Sequence, residues 1–198
     1  MPKSVDHSER RRRIVAESLK LFATAGYSQV NFGMIAQASG VSRTILYTYF
    51  QDKRAIFNEA IDEVTRKVRS TYESVAKTGA TADAKLRQVC LTVFALMFEN
   101  RSFVCVIADV LTNYRREGSA VPVERVTEHT AGLLRIFSEL VAEGVAKGEY
   151  RRDLEPPKVA DLLYAQYEAA ALRIAVTGNA DFAACFDGLD AVLRLLRA

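Results

Sequence analysis

The sequence predicts an all-α fold of about nine helices. Three observations carry this. Proline is absent between Pro2 and Pro122, so little interrupts a helix over that stretch. No segment alternates apolar and polar residues far enough to read as a strand. Apolar residues recur instead at three- and four-residue spacing, and most of these stripes stop at a glycine or a polar break.

Helix 1 places Ile14, Ser18, Leu21, Phe22 and Ala25 on one stripe and stops at Gly26. A short helix 2 follows, with Asn31 as N-cap, Ile35 and Ala36 inward, and an end at Gly40. Ser42 caps a short helix 3 that turns Ile45, Leu46 and Phe50 inward. Asp52 caps a long helix 4 with Phe57, Ile61, Val64, Val68, Tyr72 and Val75 on one face. After a break at 78–84, Leu86, Val89, Val93 and Met97 mark helix 5, and helix 6 begins near Ser102. Pro122 stands where a helix can start. Val126, Leu133, Phe137, Leu140 and Val141 stripe helix 7, which ends at Gly148. Pro156 and Pro157 restart the chain at helix 8, Gly178 ends it, and helix 9 carries Phe182, Phe186, Leu189, Leu193 and Leu196.

Composition narrows the class. The chain has 198 residues, 49% hydrophobic and 26% charged, which fits a globular protein and not a disordered one. Its longest apolar runs, at 93–98 and 103–108, fall well short of the ~18 residues of a membrane span. No apolar stretch follows the basic cluster near the start, so no secretory signal is expected. Cys90, Cys105 and Cys185 are far apart and lack a CxxC pairing. They fit a reducing compartment better than a disulfide scaffold or a zinc site. The expected location is cytoplasmic, with no membrane partner.

The charge is unevenly placed. Residues 1–57 hold nine Lys/Arg against four Asp/Glu, a balance of +5; the remainder holds 18 against 20, a balance of −2. A basic first quarter on a faintly acidic body predicts a polyanion-binding head. Arg10, Arg11, Arg12 and Arg13 either reach phosphates or a minor groove, or simply keep the head solvated.

The most informative segment is 31–53. Two short helices meet at Ala38, Ser39, Gly40, Val41 and Ser42. Ala36 is small where the helices cross, Gly40 suits a left-handed turn, and Val41 fits the angle between them. This is the pattern of a helix-turn-helix unit, whose second helix enters a major groove about 12 Å wide. That helix offers Arg43, Thr44, Tyr47 and Thr48 outward. Asn31 and Lys53 stand at helix starts, where phosphate is favoured. Tyr49 reads equally as a packing residue or a phosphate contact.

These residues resemble the DNA-binding domain of the TetR family of transcriptional regulators. The resemblance covers residues about 10–57 and rests on Ile14, Leu21, Phe22, Ala23, Gly26, Tyr27, Ile35, Ala36, Ala38, Gly40, Val41, Ser42, Leu46, Tyr47, Tyr49, Phe50, Lys53 and Ala55. It departs from the usual pattern at Val30 and Asn31, where adjacent hydroxyl residues are common, and at Gly33 and Met34, which replace a polar or charged pair. The resemblance implies a head over 1–57 and a ligand-binding, dimerising body over 58–198. It further implies a homodimer on double-stranded DNA, reading a palindromic operator and released when a small molecule moves helix 4. Carried over by position, Arg43, Thr44 and Tyr47, with Thr48 beside them, are base or groove contacts. Asn31, Ser42, Tyr49 and Lys53 are phosphate or backbone contacts.

The body is less specific. Phe94, Phe98, Phe103, Tyr114, His129, Phe137, Tyr164, Tyr167 and Glu168 are candidates for an effector pocket, each also readable as core or surface. The apolar faces and the run Ala169, Ala170 and Ala171 on helices 8 and 9 suit pairing with a second copy. No cofactor is expected: Walker A, GxGxxG and GxSxG patterns are absent. His7 and His129 have no metal-ligand spacing, so no metal and no enzyme are expected. The expected function is a ligand-responsive repressor taking an apolar or amphipathic effector. The alternative is a helical DNA-architectural or partner-binding protein without an inducer.

Overall fold

A computed structural model describes residues 7–117, 122–178 and 181–198. Among them are nine helices and no strand: α1 (His7–Ala25), α2 (Phe32–Ala38), α3 (Arg43–Tyr49), α4 (Lys53–Ala76), α5 (Ala82–Glu99), α6 (Arg101–Glu117), α7 (Val123–Ala146), α8 (Pro156–Thr177) and α9 (Phe182–Leu195). One isolated antiparallel bridge joins Tyr150 to Arg197.

The helix boundaries follow local chemistry. Gly26, Gly40, Gly148 and Gly178 all take positive φ, which a side chain would resist. The caps are those the sequence predicts. Asn31 Oδ1 accepts from the amides of Gly33 and Met34, at 2.9 and 3.1 Å. Ser42 Oγ accepts from Ile45 N at 3.2 Å, and Asp52 Oδ1 from Ala55 N at 2.8 Å. Gly33 has its own part in the first cap: a Cβ there would sit 3.1 Å from Asn31 Oδ1 and crowd it.

The chain divides into two compact units, residues 1–63 with 102–126, and residues 64–101 with 127–198. In the first unit, Ile14, Phe22, Tyr27, Ile35, Leu46, Ile56 and Phe57 are buried. The Tyr27 ring packs between Phe22 and Phe57, with centroids 5.1 and 5.6 Å away. Burial pushes the Tyr27 hydroxyl up to about 12. On α1 the buried face is Ile14, Val15, Ser18 and Phe22; Leu21 is only half-buried and Ala25 is exposed. The buried stripe thus extends to Val15 on one edge and gives up Leu21 on the other, while Ala25, in line with Ile14 and Ser18, is exposed as the last residue of the helix. Segment 102–126 joins this unit through two polar ties. Asp109 Oδ2 accepts from the Tyr27 amide at 2.9 Å, and Arg125 pairs with Asp62 at 2.9 Å.

In the second unit, α5, α7, α8 and α9 enclose an apolar core that includes Leu86, Val89, Phe94, Phe137, Leu163, Tyr167, Leu189 and Leu193. Tyr150 and Tyr167 bring hydroxyls into it, and that of Tyr167 donates to the Cys90 carbonyl at 3.1 Å. The Cys90 thiol is buried and pushed up to about 12 by desolvation, as suits a core cysteine. Lys85 is buried too, and its ammonium meets Glu143 at 2.8 Å.

Candidate functional site

The α2–α3 pair builds one outward face. Leu46 and Phe50 anchor α3 inward, fully or nearly fully buried. Arg43, Thr44, Tyr47 and Thr48 are exposed together, as the spacing predicts. Ile45 is different: expected inward, it is 38% exposed. The reason is angular. Leu46 takes the inward position, and the preceding residue, about 100° round the helix, lies beyond the buried edge.

The flanking residues have more internal work than their positions implied. Asn31 Oδ1 serves the α2 amides, which leaves its NH2 group for an outside acceptor. Ser42 Oγ accepts within α3, which leaves its O–H proton to donate outward. The Tyr49 hydroxyl lies 2.7 Å from His7 Nδ1, and its carbonyl accepts from Arg11 at 2.9 Å. Arg11 also pairs with Glu59 at 3.0 Å and lies 4.3 Å above the Phe50 ring. Within the basic run, then, Arg11 fastens α1 to α3 and α4.

Lys53 differs most from its expected role as a phosphate contact. Its Nζ lies 2.7 Å from the Tyr27 carbonyl, 3.0 Å from that of Ser28 and 2.9 Å from that of Val30. Three carbonyl acceptors match the three protons of an ammonium. A DNA phosphate would have to displace one of them. This contact joins residues 26 positions apart or nearly so, and nothing in local spacing reveals it.

The effector candidates are not brought together. Phe94, Phe137 and Tyr167 pack on one another in the core, with Phe94–Tyr167 and Phe137–Tyr167 centroids 4.5 and 5.7 Å apart. Phe98 meets Phe182 edge-on at 5.2 Å. Phe103 is buried in the first unit. Glu168 is exposed, because it follows buried Tyr167 and so points to the other side of α8. The Tyr164 hydroxyl lies 2.9 Å from Thr130 Oγ1. The Tyr114 side chain lies outside the described residues.

A groove of about 280 Å³ does open between α4 and α7, and His129 alone of those candidates lines it. Val68, Leu133 and Ile136 give it an apolar floor, and Arg69, Glu73, Arg135 and Glu139 are exposed at its edges. His129 Nδ1 lies 2.7 Å from Thr65 Oγ1, and burial holds the imidazole below its ordinary pKa. No group of three metal-ligating side chains occurs among the described residues. No single helix there is long and apolar enough to cross a membrane.

The comparisons with known proteins agree with this head. A family model described as bacterial regulatory proteins, tetR family, matches residues 14–60. Over those residues the chain carries the DNA-binding domain pattern of the TetR family. The relatives that it matches are transcriptional regulators. It is 26% identical over 143 residues to a fatty acid metabolism regulator protein of Bacillus subtilis, covering 72% of each chain. It is 25% identical over 172 residues to the transcriptional repressor DhaR of a Mycobacterium species, covering 85% of this chain and 84% of that one. Its fold matches the regulator FadR of Bacillus subtilis, solved in complex with stearoyl-CoA, with a TM-score of 0.75 at 20% identity. That match covers 94% of this chain and 97% of the other.

Proposed function

We propose that this protein is a cytoplasmic repressor of the TetR family that binds a palindromic operator as a homodimer and leaves it on binding a small amphipathic molecule. The observation that carries the reading is the face of α3. Arg43, Thr44, Tyr47 and Thr48 are exposed side by side on a helix whose inner face is anchored by Leu46 and Phe50. Arg43 is the candidate guanine contact, with Asn31 and Ser42 beside it as phosphate donors. The functional head is taken as 1–57 and the sensing and pairing body as 58–198, with α4 running from one into the other.

The outer faces of α8 and α9 support the dimer. Leu162, Leu172 and Val176 are 48, 61 and 73% exposed, and with exposed Ala165 and Ala169 they make one stripe along α8. On α9, Ala184, Gly188, Ala191 and Leu195 are exposed at matching spacing. Small residues beside large ones let a second helix pair approach closely. A long exposed apolar stripe of this kind marks an interaction surface.

The α4–α7 groove supports the effector, since its apolar floor and charged edges suit an amphipathic molecule. The name of the Bacillus subtilis relative and the stearoyl-CoA of the structural neighbour favour one that carries an acyl chain. The test is selection from random duplex DNA with the full chain, followed by titration of the selected complex with stearoyl-CoA. Recovery of a palindrome, and its release by micromolar ligand, is the expected result. Uniform affinity for all duplexes would overturn the operator reading. Retention of the operator at saturating stearoyl-CoA would overturn the acyl effector.

A further inference from the structure

The outward chemistry of α3 is narrower than its list of contacts suggests, and the consequence rests on the operator reading above. The helix is Arg43, Thr44, Ile45, Leu46, Tyr47, Thr48 and Tyr49. It contains no Asn or Gln to pair with adenine and no Asp or Glu to accept from cytosine. Arg43 is its one cation. Thr48 Oγ1 donates to the Ile45 carbonyl at 2.7 Å, so that proton is held by the helix itself.

Beside Arg43 and the two threonines, the exposed surface is apolar apart from the Tyr47 hydroxyl. Ile45 is 38% exposed and Tyr47 is 54% exposed. Phe32, at the start of α2, packs against the Tyr47 ring with centroids 4.8 Å apart and planes inclined at 48°. That contact restricts where the Tyr47 ring can lie. About the helix axis, Tyr47 and Ile45 fall on either side of Thr44 and Thr48. The face is therefore a polar strip with an apolar shoulder on each edge. The partner it suits is a polyanion, because residues 1–57 carry nine Lys/Arg against four Asp/Glu. The apolar feature that duplex DNA presents in its major groove is the thymine C5 methyl.

We propose that α3 reads thymine by its methyl group, with Ile45 and Tyr47 as the specificity-determining residues and Phe32 as the positioning residue for Tyr47. Adenine is then read only through the thymine that it pairs with, and guanine through Arg43. The half-site is a pattern of thymine methyls around a guanine.

The test alters the DNA before it alters the protein. Each thymine of the selected operator is replaced in turn by deoxyuridine, which removes the methyl and keeps the base pair. Burying one methyl corresponds to about a four-fold change in affinity, so about that loss is expected at two positions in each half-site. Ile45→Ala should abolish the sensitivity at one of these positions, and Phe32→Ala should reduce it at the other. Ile45 is at the surface, so unfolding midpoints will show that the variant keeps its fold. Ile45→Val, which retains a branched methyl, should keep the response. If every deoxyuridine substitution leaves affinity unchanged, methyl reading is wrong while the operator stands. If Ile45→Ala keeps the full wild-type pattern, Ile45 is not a reader. If selection recovers no preferred sequence, the operator reading fails and this inference fails with it.

Discussion

The ammonium of Lys53 meets Tyr27 twice: Nζ lies 2.7 Å from its carbonyl oxygen and 4.7 Å from the centroid of its ring. With the carbonyls of Ser28 and Val30, this ties the first turn of α4 to the connection between α1 and α2. That connection carries Asn31, the cap of α2. A cation at a helix start is locally unfavourable, and the three carbonyls offset that cost.

Lys53→Met should therefore lower stability, by about 2 kcal/mol, the scale of hydrogen bonds to a charged group. The salt slope of DNA binding should change by less than half of the ~0.9 expected for a lost phosphate contact. Urea unfolding and a salt titration decide between the two roles. A full unit lost from the slope with stability unchanged would return Lys53 to the phosphate contacts.

Arg43 gives the complementary outcome. It is exposed and no ion pair holds it among the described residues. Arg43→Ala should leave the unfolding midpoint within experimental error. It should cost about 1–3 kcal/mol on the selected operator and relax preference at one base pair. Equal losses on operator and random duplex would show that Arg43 touches only the backbone.

His129 makes a pH prediction. Burial lowers its folded pKa below the unfolded value of about 6.5. Above that pH the imidazole is neutral in both states and costs nothing. As the pH falls below about 6.5, the unfolded chain takes up the proton and the folded chain does not, so stability falls until the folded pKa is reached. The groove around it also holds Arg69, Arg135, Glu73, Glu139 and Tyr72. Thermal midpoints measured from pH 7.5 down to 5.5 should decline more in the wild type than in His129→Gln. Parallel declines would place the pH response elsewhere.

Gly144 makes a packing prediction. A Cβ at this position would overlap the Tyr150 ring, which is fully buried. The Gly144 carbonyl also accepts from the amides of Glu149 and Tyr150, so the backbone there is held. Gly144→Ala should cost about 1–3 kcal/mol through overpacking, although alanine is the better helix former by about 1 kcal/mol. A variant as stable as the wild type would mean that Tyr150 can move aside.

The helices were legible in the sequence because their ends are written locally. Gly26, Gly40, Gly148 and Gly178 mark stops, and Asn31, Ser42 and Asp52 mark starts, each within a few residues of the backbone it serves. Arg43, Thr44, Tyr47 and Thr48 were legible as an exposed set for the same reason. Ile45 was not: a helix of two turns has too few residues to define its buried edge. The Lys53 clamp and the Asp109 acceptor were invisible because their partners lie far along the chain. The body aromatics stayed ambiguous because a ring lining a cavity and a ring filling a core leave the same trace in a sequence. Phe94, Phe137 and Tyr167 do the second, and the groove is floored by Val68, Leu133 and Ile136 instead.

Asp109 bears on how the reading head can be handled. Its carboxylate receives the amide of Tyr27 from 82 residues away and is steadied by Asn113, whose Nδ2 lies 2.6 Å from Oδ1. A fragment that stops at residue 60 would retain both short helices and every side chain of their outer face. It would lose the acceptor for that amide, beside the turn that Lys53 holds. The head is therefore not a portable cassette that can be cut out at its last matching residue. Grafting it onto another protein would require segment 102–126 to travel with it, or a substitute carboxylate at the same turn.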